Sequence, residues 1–523
     1  MYKQNISDYP IRDEYDIIVI GSGLGGLTCG ALLAHKGYSV LIVEQFSSYG
    51  GVCQGVYRDG FIFDAAVHIA YNWPQFERIF SELGEKVEVR EVRKKESIIF
   101  PEHRIVLRGI SELRDQLVRI FPGEAEMIKK YYKDLVEMAE TAGNLSPSEL
   151  VKTGKIMTFK KYLERNTSQV VAEYFKDPKL RAIVNAAQSG YMYNYPWLFT
   201  AFYLYNTQGE GRKEYLPEFG SQEIANAFVR ALRRNGGQLV LNTLVTEIVL
   251  GERNQALGVR LDDSRVIRAS KAVVSNADAR VTFEHLLPME KLDKKSRELL
   301  DLWRMGGESV GYLTGFYGFD IDVGSHYQVE DDLIAYYPSY DVERMYDDIY
   351  AKNKLAPDFW LWIMFPSLTH PKMAPAGCST AVMALPVKYG FEEGLGVDGD
   401  YNCTGLRWKG DPGKGYQRFK ERISTLFKKR AEELFPGISD HVVFEELWTP
   451  LSFEKNTLNY KGSSMGWEIT KEQLSRAKTM GLPLTTCFPR LYLVGNWTEA
   501  GAAAWSASAS GEKVARMIMD NDQ

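Results

Sequence analysis

Ile17-Ile18-Val19-Ile20-Gly21-Ser22-Gly23-Leu24-Gly25-Gly26, continuing through Leu33 to Val40-Leu41-Ile42-Val43-Glu44, reads as strand, glycine turn, helix, strand and acid. Gly21 permits the tight turn, Gly23 lets backbone approach a pyrophosphate, and Gly26 lets the helix pack closely on the strand. Phosphates then meet the positive helix N-terminus. Gly37 stands where a helix C-cap glycine belongs. Glu44, about twenty residues beyond the glycines, ends the second strand, where a carboxylate accepts hydrogen bonds from both hydroxyls of an adenosine ribose and disfavours a 2′-phosphate. Gly394-Leu395-Gly396-Val397-Asp398-Gly399 has the same spacing, but no apolar strand leads into it and no apolar helix leaves it. That copy reads as a loop; the first predicts a bound dinucleotide.

Composition sets the outer limits. A chain of 523 residues, 45% hydrophobic and 25% charged, suits a soluble globular protein of several units. Its net charge of −5 gives no electrostatic case for nucleic acid. Met1 to Asp8 lacks a basic stretch followed by an apolar run, and nowhere do eighteen apolar residues stand together, so neither a secretory signal nor a spanning helix is expected. The five cysteines (Cys29, Cys53, Cys378, Cys403, Cys487) show no metal-ligand spacing and read as reduced thiols of a cytoplasmic protein. Thirty Tyr, 25 Phe and 10 Trp would furnish a large apolar cavity or an ordinary core equally well.

Downstream of Glu44 come Gly50-Gly51, placed to return to the pyrophosphate from its other side, and Phe63-Asp64-Ala65-Ala66-Val67-His68. Glycine fingerprint, acid, Gly-Gly and Phe-Asp-x-x-x-His in this order resemble the flavin amine oxidase and phytoene desaturase superfamily. Val273-Val274-Ser275-Asn276-Ala277-Asp278, and the Pro366-Ser367…Pro371…Ala374-Pro375-Ala376-Gly377 series, are similar to the branch of carotenoid desaturases, carotenoid isomerases and retinol saturases. Gly495, Gly501 and Ser510-Gly511 align with the superfamily's closing segment. Ala500 stands there where Pro is usual, Ala503 where Gly is usual, and Trp505 where the carotenoid branch often has Pro.

The resemblance implies an α/β protein: a Rossmann-like FAD-binding domain built from three separated segments (1–72, 205–287 and 442–523) with a mixed α+β substrate-binding domain (73–204 and 288–441). It implies FAD, held by Gly21, Ser22, Gly23, Leu24, Gly25, Gly26, Glu44, Gln45, Gly50, Gly51, Val52, Val67, His68, Val245, Asn276, Gly495, Asn496, Ala504, Trp505 and Ser506. Its substrate is expected to be a long apolar polyene or isoprenoid lipid that undergoes desaturation, saturation or isomerisation. Such a substrate resides in membrane, so a peripheral membrane contact is expected; the electron donor or acceptor is left open. His68 is the first candidate for acid–base help. Tyr191, Tyr193, Trp197 and Trp505 are candidates for cavity wall, the first three from an aromatic alternation around Pro196 that reads as extended.

Two rival readings share the scaffold. An amine or amino-acid oxidase would need a polar substrate clamp, and no lysine here suggests itself as that group's water-activating residue. A prenyl-group escort module without flavin would lack the third glycine, whereas Gly26, Glu44 and Gly50-Gly51 are intact.

Overall fold

The computed structural model describes residues 10–66, 72–92, 96–144, 161–162, 164–188, 194–209, 213–391, 401–404, 407–410, 413–477, 479–499, 501 and 503–522. Two seven-stranded sheets dominate the described residues. At the centre of the first, Glu14–Ile20 pairs in parallel with Val40–Val43 on one side and Val266–Ser275 on the other. Gln238–Val240 extends this sheet beyond Val40–Val43, and Leu491–Leu493 extends it beyond Val266–Ser275, both in parallel. Val245–Leu250 and Ala256–Leu261 form an antiparallel ribbon on the early half of Val266–Ser275.

Both faces of this sheet are covered, which explains its unbroken apolar strands. Ile17 and Val19 face the helices Leu24–His35, Gln222–Arg234 and Ala504–Asn521, while Ile18 and Ile20 face a second core containing Trp303, Trp467 and Trp497. Leu24–His35 is buried along almost its whole length. Its small residues make that possible: a Cβ at Gly30 would stand 2.8 Å from Ile42, and one at Gly511 on the helix Ala504–Asn521 would stand 2.1 Å from the Gly25 carbonyl. Gly37 closes the helix at φ +92°, its N–H donating to Ala34.

The second sheet runs in the order Val442–Trp448, Gly311–Phe319, Ser379–Val387, Leu361–Met364, Leu333–Tyr336, Glu96–Ile99, Arg104–Leu107. Only the Leu333–Tyr336 and Glu96–Ile99 pair is parallel. One face carries a large core shared with the helices Ile110–Ile120 and Ala125–Asn144. The other packs on the hairpin Gly55–Arg58 and Phe61–Asp64 through Phe61, Phe63 and Phe316.

Three expectations shift. Val442–Trp448, placed by sequence at the start of the third cofactor segment, pairs with Gly311–Phe319 in the second sheet. Trp73–Leu83, placed with the substrate side, turns Phe76, Ile79, Phe80 and Leu83 onto the first sheet's helices, with Phe80 and Phe228 rings 4.9 Å apart. The aromatic stretch around Pro196 is not extended beyond the proline: Pro196 precedes a helix, Trp197–Gln208, and Pro readily occupies such a start because its φ is already fixed.

Candidate functional site

The glycine turn is held by backbone and by one side chain. Gly21 (φ +90°) donates its N–H to Val43 across the sheet, and Gly50 donates to Ser22, bringing the Gly50-Gly51 pair against the turn. Asn276, at the end of Val266–Ser275, reaches over from the neighbouring strand and accepts from the Gly26 N–H at 3.1 Å. Its amide fills the space that side chains would take: a Cβ would come within 2.5 Å of it at Gly23, 2.7 Å at Gly25 and 2.8 Å at Gly495. A side chain at any of these three glycines, in two distant segments, would have to displace that amide, and at Gly25 it would also meet the Gly495 backbone nitrogen at 2.8 Å. At Gly26 the limit is the chain itself, since a Cβ would lie 2.4 Å from the Gly21 carbonyl.

Glu44 accepts from the N–H and hydroxyl of Ser22 at 2.9 and 2.6 Å and from the Phe46 N–H at 2.8 Å. Burial raises its pKa, opposed by these same donors. The neighbouring Gln45 buries its Nε2 without a partner. Two helices, Leu24–His35 and Ala504–Asn521, begin with an N-cap residue that makes no side-chain cap; in the first, Asn276 takes only the Gly26 N–H, so each helix start keeps a partial positive charge. Asp278, two residues past Asn276, accepts from the N–H groups of Arg280 and Tyr460, each at 2.7 Å. Burial pushes its pKa up to about 7 against those bonds and the Arg280 charge.

These groups open onto one cavity of about 440 Å³. Gly21, Ser22, Gly23, Leu24, Gly25, Glu44, Gln45, Gly50, Gly51, Val52, Val245, Asn276, Gly495, Asn496, Ala504, Trp505 and Ser506 all line it. Gly26 stands behind the turn and packs the helix on the strand. Val67, His68, Tyr191 and Tyr193 lie outside the described residues. Trp197 does not line the cavity. It is fully buried in the core of the second sheet, its Nε1 donating to the Tyr131 hydroxyl at 3.1 Å and its ring 4.5 Å from that of Tyr162. Helical spacing explains the exchange: from Trp197–Gln208, Phe199, Phe202, Tyr203 and Asn206 line the cavity, while Trp197, Leu198, Ala201 and Leu204 enter the core.

Sequence reading missed the opposite wall. Tyr312 and Thr314, Trp362 and Met364, and Val382 and Ala384 line the cavity as alternate residues on three adjacent strands. The period of two was there to be found. It did not say which face, because Ser379–Val387 is buried on both.

A glycine turn at a helix N-terminus, with a strand-end carboxylate beside it, is the arrangement by which such folds receive a dinucleotide. The profile of the flavin containing amine oxidoreductases matches residues 24–314, more than half of the chain, and the chain belongs to that family. Its cofactor is FAD. The residues fit that group: Gly21, Gly23 and Gly25 leave bare backbone at the cavity, and Glu44 and the Gln45 amide, its Nε2 unpartnered, face the same cavity. Among similar proteins, the phytoene desaturase (neurosporene-forming) of Rhodobacter capsulatus is 28% identical over 96% of this chain and 94% of its own. The chloroplastic prolycopene isomerase of Daucus carota is 25% identical over 97% and 80%. Cyclohexylamine oxidase from Brevibacterium oxydans has a similar fold, with a TM-score of 0.63 at 14% identity over 97% of this chain and all of that one.

Proposed function

We propose that this FAD-dependent oxidoreductase acts on a long apolar conjugated polyene or isoprenoid lipid, by desaturation, saturation or cis–trans isomerisation. The observation that carries the proposal is the continuity of a single cavity from the glycine turn to a chamber walled by Phe199, Phe202, Tyr203, Tyr312, Trp362 and Val382. Such walls suit an apolar chain, and relatives named for phytoene and prolycopene support the same class. Bound FAD supplies the two-electron donor or acceptor. The protein's own contribution is positional and electrostatic. Glu44 would take the adenosine ribose, the N-terminus of Leu24–His35 the pyrophosphate, and the first-turn N–H groups of Ala504–Asn521 would favour negative charge developing on the flavin's pyrimidine side.

We assign the cofactor to a Rossmann-like domain assembled from three segments. Trp73–Leu83 joins that domain and Val442–Trp448 goes to the substrate side, following their packing and pairing. His68 stays the first candidate for acid–base help. Among the described residues no helix is long and apolar enough to cross a membrane, so delivery of a membrane-dissolved substrate calls for a peripheral contact. The amine oxidase reading is disfavoured because no described Lys or Arg lines the cavity to activate water or clamp a polar substrate.

Anaerobic mixing of the purified yellow protein with a polyene panel tests the proposal. Bleaching of the flavin band near ~450 nm indicates desaturation, reoxidation of pre-reduced flavin indicates saturation, and altered isomers without net redox change indicate isomerisation. No response to any polyene, with bleaching by amines, would overturn it.

A further inference from the structure

Beside the turn that follows Glu44 lies a second recess of about 420 Å³, sharing Phe46, Ser48, Gln54 and Asn456 with the main cavity. Its wall is cationic. Arg58 comes from the hairpin strand Gly55–Arg58, Lys420 from the helix Gly413–Glu432, and Lys455 from the helix Pro450–Thr457. The one carboxylate lining it, Glu446, is already engaged, accepting from Arg58 Nε at 3.1 Å and from Trp448 Nε1 at 2.7 Å. Among the described residues neither Lys420 nor Lys455 has an ion-pair partner; Lys420 only rests its Nζ 5.7 Å from the centre of the Tyr416 ring. Burial holds the Lys420 ammonium below its ordinary pKa, Glu446 opposing the shift and Lys455 adding to it.

Drawing an ammonium partly out of water with only the already engaged Glu446 as counter-charge costs free energy. Three cations against one carboxylate leave two positive charges facing a polar recess. A carboxylate ligand would neutralise one of them; a phosphate monoester, at close to two negative charges near neutral pH, matches both. Lysine suits it as a point-charge partner, and the recess also offers the Ser452 and Tyr416 hydroxyls, which already share a hydrogen bond.

We propose that this recess binds a phosphate-bearing ligand through Lys420 and Lys455, alongside FAD and separately from it. The phosphate could arrive on a soluble ester or on the headgroup of an anionic lipid; the chemistry at the two lysines is the same. Titration of the FAD-saturated protein with inorganic phosphate at low ionic strength is the first arm. Flotation with phosphatidylcholine vesicles, with and without phosphatidic acid, is the second. Phosphate should bind the FAD-saturated protein, about tenfold more weakly in Lys420→Met and in Lys455→Met, a loss equivalent to about 1.4 kcal/mol. Glu446→Gln should bind more tightly, and Lys294→Met, at a side chain 90% exposed in a separate helix, should not change. Unaltered flavin absorbance and melting temperature establish that the variants are folded. Vesicle association that needs phosphatidic acid, is displaced by phosphate and is lost in Lys420→Met assigns a lipid headgroup. Phosphate binding without vesicle association assigns a soluble ester. The inference is overturned if phosphate binds only the FAD-free protein, does not bind at all, or binds both lysine variants as well as the parent.

Discussion

Gly26→Ala isolates the demand that the opening turn makes on its sequence. The new methyl would stand 2.4 Å from the Gly21 carbonyl oxygen, 3.0 Å from Val19 Cγ1 and 3.1 Å from Asn276 Cβ. The nearest of these is backbone in a turn fixed by the Gly21 to Val43 hydrogen bond, so the helix must move away from the strand. Overpacking of this kind costs about 1–3 kcal/mol, and separating the Gly26 N–H from Asn276 Oδ1, now 3.1 Å apart, adds about 1 kcal/mol. The expected loss is about 2–4 kcal/mol, together with weakened FAD retention, because the shift displaces the helix N-terminus that faces the cavity. Gly37→Ala is the control. It sits at φ +92° with open space around its Cβ, so it should cost about 1–2 kcal/mol for the left-handed backbone alone and leave FAD in place. Denaturant unfolding and the flavin-to-protein absorbance ratio after gel filtration measure both. If Gly26→Ala keeps stoichiometric FAD and is no less stable than Gly37→Ala, the close-packing account of the turn is wrong.

Asp278 gives a pH signature. Its folded pKa is raised from 3.8 to about 7, so its stabilising contribution is complete below 3.8 and is lost as pH rises through about 7; Asp278→Asn should flatten the fall in melting temperature across that window, and an unchanged slope would count against a buried, proton-holding Asp278. Ala384→Phe should reduce turnover of long polyenes while retaining FAD, since it narrows the apolar end of the cavity, and equal turnover would remove that wall from the site. Trp197→Ala should instead cost about 3–5 kcal/mol of stability without altering the preference among substrates, read by denaturant unfolding and substrate competition.

Legibility in the sequence followed the range over which each constraint acts. The strand, turn, helix, strand and acid of residues 17–44 are local, and each glycine there answers a demand made within a few residues or by one partner strand. Asn276 stood in a motif legible at 250 residues' distance from Gly26, although its part in excluding side chains from the turn needed coordinates. Trp197 shows the opposite case. Pro196 signalled a break, and aromatic residues on both sides fitted a strand as well as a helix, so a residue expected in the cavity wall proved to be core. A boundary after His441 puts residues 442–448 in the third cofactor segment, but the pairing of Val442–Trp448 with Gly311–Phe319 spans more than a hundred residues, and no local pattern carries that information.

The contact between the Gly25 carbonyl and Gly511, flanked by the hydrogen bond of Thr28 with Ser508 across 480 residues, has a meaning in time as well as in space. A ribosome adding 5–20 residues per second needs roughly 24–96 s to travel that distance. From the emergence of the first glycine turn until Leu491–Leu493 and Ala504–Asn521 are made, small-residue surfaces destined for one another stand open. Nascent chains stalled before Leu491 should therefore fail to hold FAD, with loading waiting on the docking of Ala504–Asn521 and the exposed small-residue surfaces needing a shield until then.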